Sequence, residues 1–363
     1  MKTKWNSLLG TLALGTLLGG CGATRAVEST PEPTQAAEGV TDVTAAEPTQ
    51  PEKTPVPTET EAAEEPYADA VTVRIGSLKG PTSIGLLELM HACENGEASQ
   101  EYEFTMETQA DALLPKMISG DLDIALVPAN VASVLYQKTQ GGVEVIDINT
   151  LGVLYMVSGD DTITSAADLA GHTIYTTGKG TTPEYVLGHI LEGNGVDAQV
   201  EYKSEATEVA AVLAEDPTAV GMLPQPFATV ALKKNDSLSV VLDMTAEWEA
   251  LDADSALVTG VTIARRAFVE EHPQTVETFL AEHAKSSDYA KANVSDAAEW
   301  MVAQGILENA QVAQAAIPYC NLVCLTGTEM QTKLASYLSV LFAADPASVG
   351  GALPEEDFYY IAE

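Results

Sequence analysis

The chain has 363 residues, with 53 Asp and Glu against 17 Lys and Arg and a formal charge of −36. That balance argues against nucleic acid as a partner, because binding by counterion release needs clustered Lys and Arg. It favours solubility and repels anions at long range, but salt screens the field beyond about 8 Å, so a local set of backbone N–H groups can still hold an anion.

The first residues, "MKTKWNSLLGTLALGTLLGGCG", carry Lys2 and Lys4 and then an apolar stretch from Leu8 to Leu18. This is too short for a permanent span of a core about 30 Å thick and has the pattern of a secretory signal over residues 1–20. Leu17-Leu18-Gly19-Gly20-Cys21 resembles the lipobox of bacterial lipoproteins. In that family the matching cysteine, here Cys21, is the lipid-carrying first residue, and two or more acyl chains give lasting attachment. Residues 22–66 hold seven prolines, ten acidic residues against Arg25 and Lys53, and no aromatic residue. Such a segment buries too little apolar surface to offset its chain entropy, so 21–66 is expected to be a flexible tether without chemistry.

The folded part is expected from residue 67. Val71, Val73 and Ile75 alternate as in a strand, Gly76–Ser83 form a turn, and Ile84, Leu86, Leu87, Leu89 and Met90 form one broad helix face. "YEFTMET" reads as a strand, "ADALLPKMISG" as a helix stopped by Gly120, "LDIALVPA" as a strand and "NVASVLYQKT" as a helix. The apolar strands "VEVIDINTLG" and "VLYMVSG" follow. Strands alternating with helices at this spacing predict α/β architecture with doubly wound sheets.

A second run of the same kind starts at Asp161: "SAADLAG", "HTIYTT", "TPEYVLGHILEGNG", "AQVEYKS", "TEVAAVLAED", "TAVGMLP", "PFATVALKKN" and "LSVVLDM" alternate helix and strand. "SALVTGVTIAR" is then a long strand suited to returning across a lobe boundary. From Phe268 the pattern is helical, with Pro273 near a first turn, Ser295 as a cap of "DAAEWMVAQG", and an amphipathic "EMQTKLASYLSVLFAA". Helices without matching strands should pack back on an existing lobe. The expected organisation is 67–155 as the first part of lobe 1, 156–257 as lobe 2, and 258–363 as the return to lobe 1.

Four turns fall where a strand's carboxyl end meets a helix start, the place where open α/β sheets bind ligands. They are "SLKGPTS" (Ser77–Ser83), "VPAN" (Val127–Asn130), "TTGKGTT" (Thr176–Thr182) and "LPQPF" (Leu223–Phe227). The first N–H groups of each helix lack an internal partner and can hold a small anion without a cationic side chain. "TTGKGTT" is not a phosphate loop: six residues separate Gly171 from Gly178, and Gly180 follows Lys179. Its glycines admit close backbone approach, and Thr181 or Thr182 is a candidate cap or donor.

Signs of catalysis are weak. No Gly-x-Ser-x-Gly elbow, no His-Glu-x-x-His and no distinct acid pair occurs. "EEHPQTVETFLAEH" reads as a solvated helix face, and Tyr175, Tyr185 and Trp248 read as core or cleft wall. His272 and His283 are eleven apart, about 16 Å of helical rise, too far to share a metal. Cys320 and Cys324 in "YCNLVC" suit either a local disulfide or two packed thiols, zinc is not expected, and Cys93 reads as core.

The phrases "GDLDIALVPANVASVLY", "DLAGHTIYTTGKGTTPEYVLGHILEGNGVD", "VAAVLAEDPTAVGMLPQPFATVAL" and "TIARRAFVEEHPQTVETFLAEHAKSSDYAKAN" together resemble substrate-binding proteins of ABC importers, in the nitrate, sulfonate, taurine and thiamine-precursor group. The resemblance covers about residues 70–360. It implies the two-lobe fold of type II periplasmic binding proteins, with crossovers near Leu151–Ser158 and Ala256–Ala264. It places cleft contacts at Lys79, Gly80, Pro81, Thr82 and Ser83, at Ala129 and Asn130, at Thr177, Gly178, Lys179, Gly180, Thr181 and Thr182, and at Gln225 and Pro226. It implies no cofactor, no metal and no catalysis, but a monomer that closes on one small anionic or zwitterionic ligand. The implied partners are a permease and its ATPase, with this protein itself lipid-anchored at the extracytoplasmic face of the cell membrane. The chain lacks a clear Arg at these turns for a sulfonate and lacks a cysteine-rich pyrimidine motif, so the ligand class stays open. The alternatives are a thiamine-precursor (aminopyrimidine) binding protein, a surface ligand sensor and an enzyme on the same fold.

Overall fold

A computed structural model describes residues 71–253 and 255–362; the signal, Cys21 and tether expectations lie outside them. The first run is β1 (Val73–Leu78), α1 (Pro81–Ile84), α2 (Leu87–Glu94), β2 (Tyr102–Glu107), α3 (Ala110–Ser119), β3 (Ile124–Pro128), α4 (Ala129–Thr139) and β4 (Val143–Leu151). The second is β5 (Leu154–Ser158), β6 (Thr173–Thr176), α5 (Thr182–Gly193), β7 (Gln199–Tyr202), α6 (Ala206–Glu215), β8 (Val220–Pro224), α7 (Phe227–Lys234), β9 (Ser239–Asp243) and α8 (Met244–Leu251). The chain ends with β10 (Val258–Arg265), α9 (Arg266–Glu271), α10 (Pro273–Ala292), α11 (Val294–Ala303), α12 (Ala310–Ala316), β11 (Leu322–Leu325) and α13 (Gly327–Ala344).

The strands form two sheets, ordered β11-β4-β10-β3-β1-β2 and β7-β6-β8-β5-β9. Within the larger sheet β10 runs antiparallel to β3 and β4, and within the smaller one β5 runs antiparallel to β8 and β9. These two strands are the first after each passage between sheets. A strand that enters at the carboxyl end of its neighbours must run back along them, so the carboxyl ends of the remaining parallel strands face the space between the sheets. The fold is therefore two α/β lobes with that space between them.

Local sequence explains most elements. Val73 and Ile75 are wholly buried on either side of Arg74, and Gly120 closes α3 at φ 80 with its N–H on the Lys116 carbonyl. The single helix expected from Ile84 to Met90 is instead α1 and α2, separated where the Leu86 N–H turns back to the Ser83 carbonyl. Two expectations for the last third are also corrected. "YCNLVC" supplies β11, which extends the larger sheet by pairing Leu322 with Thr150 and Leu325 with Ile148. Helix α11 starts at Val294 after Asn293, so Ser295 lies inside it rather than capping it.

One hydrophobic core runs through both lobes and includes Leu135, Val145, Met156, Trp248 and Tyr337. Trp248 of α8 and Tyr337 of α13 are wholly buried with ring centroids 5.3 Å apart, which ties the last long helix to the smaller lobe. A second cluster lies under α2, α10 and α11, and a third under α6 and α7. Among the described residues no helix is long and apolar enough to cross a membrane.

Candidate ligand cleft

The turn after β1 is closed by hydroxyls. Ser83 Oγ donates to the Leu78 carbonyl at 2.6 Å and lies 2.8 Å from Ser77 Oγ, while Thr82 Oγ1 lies 3.3 Å from the same carbonyl. Gly80, Thr82 and Ser83 are buried and Pro81 is half-buried. Lys79 is exposed and its ammonium lies beside Gly305 of the same lobe. The polar atoms of Thr82 and Ser83 thus hold the turn itself in shape.

In the second turn Ala129 opens α4 and Asn130 follows, 1% exposed. Asn130 Nδ2 donates across the space between the lobes to the Gly180 carbonyl at 3.2 Å and, within its own lobe, to the Ser348 carbonyl at 3.2 Å.

The third turn is the one the sequence marks most strongly. Gly178 sits at φ 76, and a Cβ there would fall 2.7 Å from Thr181 Oγ1 and 2.8 Å from Pro183 Cγ, so only glycine fits. Thr181 Oγ1 donates to the Gly178 carbonyl at 2.8 Å, which makes its hydroxyl a brace of the turn rather than a cap of α5. Thr182 Oγ1 reaches across to the Thr259 carbonyl of β10 at 3.4 Å. Thr177 is half-buried, and the Lys179 ammonium lies 5.8 Å from the Tyr202 ring centroid. The Gly180 N–H donates to Glu184 Oε2 at 2.5 Å, so the amino end of α5 already faces a carboxylate of its own helix. Burial, followed by the charge of Glu184, pushes the neighbouring Tyr202 hydroxyl well above its ordinary range.

The fourth turn meets the passage between sheets. The Gln225 N–H donates to the Val153 carbonyl at 2.9 Å, Gln225 Oε1 accepts from Thr229 Oγ1 at 2.9 Å, and the bond to Pro226 is cis. A Cβ on Gly260 of β10 would fall 2.7 Å from Thr82 Cγ2, so the first turn also adjoins this strand. The structure thus brings Thr82, Asn130, Gly180 and Thr182 around the start of β10, with Gln225 at the neighbouring passage. Lys79 and Lys179 lie outside this convergence.

Two buried atoms at the convergence, Asn130 Oδ1 and Thr259 Oγ1, have no hydrogen-bond partner among the described residues. The described arginines are engaged elsewhere. Arg74 and Arg265 pair with Asp123, and Arg266 pairs with Glu144 and Asp357. Burial alone would raise the Asp123 carboxyl, but the hydrogen bonds from Arg74 and Arg265 outweigh it and hold the carboxyl below its ordinary value.

One cluster escaped the sequence reading. His283, expected on a solvated face, is wholly buried and its Nδ1 donates to Asp147 Oδ2 at 2.9 Å, while Thr262 Oγ1 donates to Asp147 Oδ1 at 2.7 Å. Cys324 lies nearby, and these three are the group of metal-capable side chains found among the described residues, with atoms within 4.8 Å of one another. They come from β4, α10 and β11, a separation in sequence that no spacing rule detects. Cys320 and Cys324 are free thiols, as is Cys93, which is half-buried and pushed up to about 11, first by burial.

Residues 140–297 match the family model described as NMT1/THI5 like. No curated protein matches it. Among solved structures, an ABC transporter from Parabacteroides distasonis is 20% identical with a TM-score of 0.68, covering 81% of this chain and 99% of that one. The periplasmic aliphatic sulphonate binding protein SsuA from Escherichia coli is 15% identical with a TM-score of 0.63, covering 80% and 94%. The desulfurization enzyme DSZB is 14% identical with a TM-score of 0.53, covering 75% and 92%. These likenesses show the two-lobe binding-protein fold that the sequence resemblance implies, and the same fold also carries an enzyme.

Proposed function

We propose that this protein, which matches the NMT1/THI5 like model over residues 140–297, is a solute-binding lipoprotein of an ABC import system. It captures one small anionic or zwitterionic molecule, of nitrate, sulfonate or taurine kind, between its lobes and delivers it to a membrane permease and its ATPase. Lipid on Cys21 holds it at the extracytoplasmic face, the tether lifts the lobes from the membrane, and the protein works as a monomer. The observation that carries this reading is the meeting of turns from both lobes, Asn130 with Gly180 and Thr182 with Thr259, at the carboxyl ends of the strands. Closure of two lobes about their crossovers is the motion such an arrangement permits. The groups gathered there are amide, hydroxyl and backbone groups, while the His283–Asp147 pair lies in the interior of the larger lobe. The reading therefore assigns binding and no bond breaking.

The test is the melting midpoint of the full-length protein with nitrate, taurine, alkanesulfonates, bicarbonate, aminopyrimidines and amino acids. A ligand bound only by the native state at 100 times its Kd stabilises by about 2.7 kcal/mol and raises the midpoint. A shift with one compound that is lost in Asn130→Ala supports the cleft. A shift untouched by substitution at any of the four turns contradicts it.

A further inference from the structure

Asn130 has an amide orientation that its surroundings dictate. Its nitrogen lies 3.2 Å from each of two carbonyl oxygens, those of Gly180 and Ser348. Carbonyl oxygens only accept, so the NH2 end alone fits there, and both of its hydrogens are engaged. Oδ1 therefore points away from those carbonyls as a buried acceptor, on a side chain 1% exposed, with no donor among the described residues. A buried acceptor without a donor is destabilising, and a donor supplied by a molecule held between the lobes removes that penalty.

The electrostatics of the neighbouring turn point the same way. Asn130 is hydrogen-bonded to Gly180, whose own N–H is taken by the Glu184 carboxylate. Negative charge thus already stands at the amino end of α5, and the described arginines are paired with Asp123, Glu144 and Asp357. An oxyanion at Asn130 Oδ1 would meet an acceptor with no described arginine free to offset its charge, whereas an ammonium or amino group would meet a complementary partner.

We propose that Asn130 Oδ1 is an acceptor subsite of the cleft that selects ligands bearing a hydrogen-bond donor, an amine above all, over oxyanions that bear none. The inference rests on the cleft reading and narrows it. Aminosulfonates, amino acids and aminopyrimidines fit, while nitrate and unsubstituted alkanesulfonates do not.

The test is calorimetric titration of the full-length protein with pairs matched in shape and differing at the donor: taurine against propanesulfonate, β-alanine against butyrate, and aminomethylpyrimidine against dimethylpyrimidine. For the pair that binds, the donor-bearing member is expected to bind about 10- to 100-fold tighter. Asn130→Ala should bring the two members to within about twofold, and Asn130→Asp, which keeps an acceptor, should preserve the preference. Equal affinities within the pair overturn the subsite and leave the cleft standing, as does a preference that survives in Asn130→Ala. If no member of any pair binds, the cleft reading for these ligand classes falls with it. Should Asn130→Ala fail to fold, the ratio in the native protein and in Asn130→Asp decides.

Discussion

In the larger lobe, the turn before α1 stands on a buried polar chain. His283 donates to Asp147, Thr262 joins Asp147 to Asn149, and Asn149 Oδ1 lies beside Gly260, the same glycine that adjoins Thr82. In the smaller lobe, the turn before α5 is braced by its own residues: Thr181 returns to Gly178, and Glu184 holds Gly180. Both turns are braced locally, the first by Ser83 and Thr82 on the Leu78 carbonyl, but the first also rests on groups far away in sequence. A remote support fails when any one of its distant members is lost, whereas a local one fails only when the turn's own residues change.

The largest break in that comparison should come from His283→Ala. It leaves Asp147 buried with a missing donor and opens a gap under α1, and a loss of about 3 kcal/mol is expected in urea unfolding. Thr181→Ala in the smaller lobe should lose only about 1 kcal/mol. Equal losses would erase the distinction between remote and local support.

Gly178→Ala separates backbone strain from crowding. Gly171 has a similar φ of 79 with nothing within 4 Å of an added Cβ, whereas at Gly178 two atoms stand under 3 Å away. Alanine at Gly171 should cost about 1 kcal/mol from the left-handed backbone alone, and alanine at Gly178 should cost roughly twice that and weaken ligand binding. Equal costs would mean that the turn yields and is not fixed by Pro183 and Thr181.

Acid should act through the Asp123 cluster. Because the Arg74 and Arg265 bonds lower the Asp123 carboxyl in the folded state, its contribution is present above the ordinary carboxylate value near 3.9 and disappears as the pH falls through the lowered one. Unfolding curves from neutral pH to below 3.9 should therefore lose part of their acid sensitivity in Asp123→Asn. An unchanged pH profile would assign the cluster no role in acid stability. The smallest effect is expected on the exposed face of α13, where Glu329 and Lys333 stand 3.9 Å apart at i and i+4. Lys333→Ala should cost only about 0.3 kcal/mol, and a loss near that of His283→Ala would show that burial is not what distinguishes these pairs.

The alternating strand and helix order and the four turns were legible because each is written within a window of a few residues, while the two passages between sheets were implied by the family resemblance. What escaped depends on distant packing. β11 is only four residues with a single cysteine, and it becomes a strand because β4 offers an unpaired edge. α8 escaped because its core residue, Trp248, meets its partner Tyr337 nearly ninety positions later. His283 looked solvated because its helix is mixed in polarity, and its partner Asp147 lies on β4, 136 positions earlier. At the candidate site, sequence located the turns but not the roles within them: it offered Thr181 as a cap or donor, and its hydroxyl closes a turn instead.

Hydrogen exchange of the full-length protein with and without a bound compound from the panel tests the central claim most directly. If one small molecule is held between the lobes, protection should rise together at the turns around Thr82, Asn130, Gly180 and Gln225, in both lobes. Protection confined to one lobe, or rising only at segments remote from these turns, would contradict it.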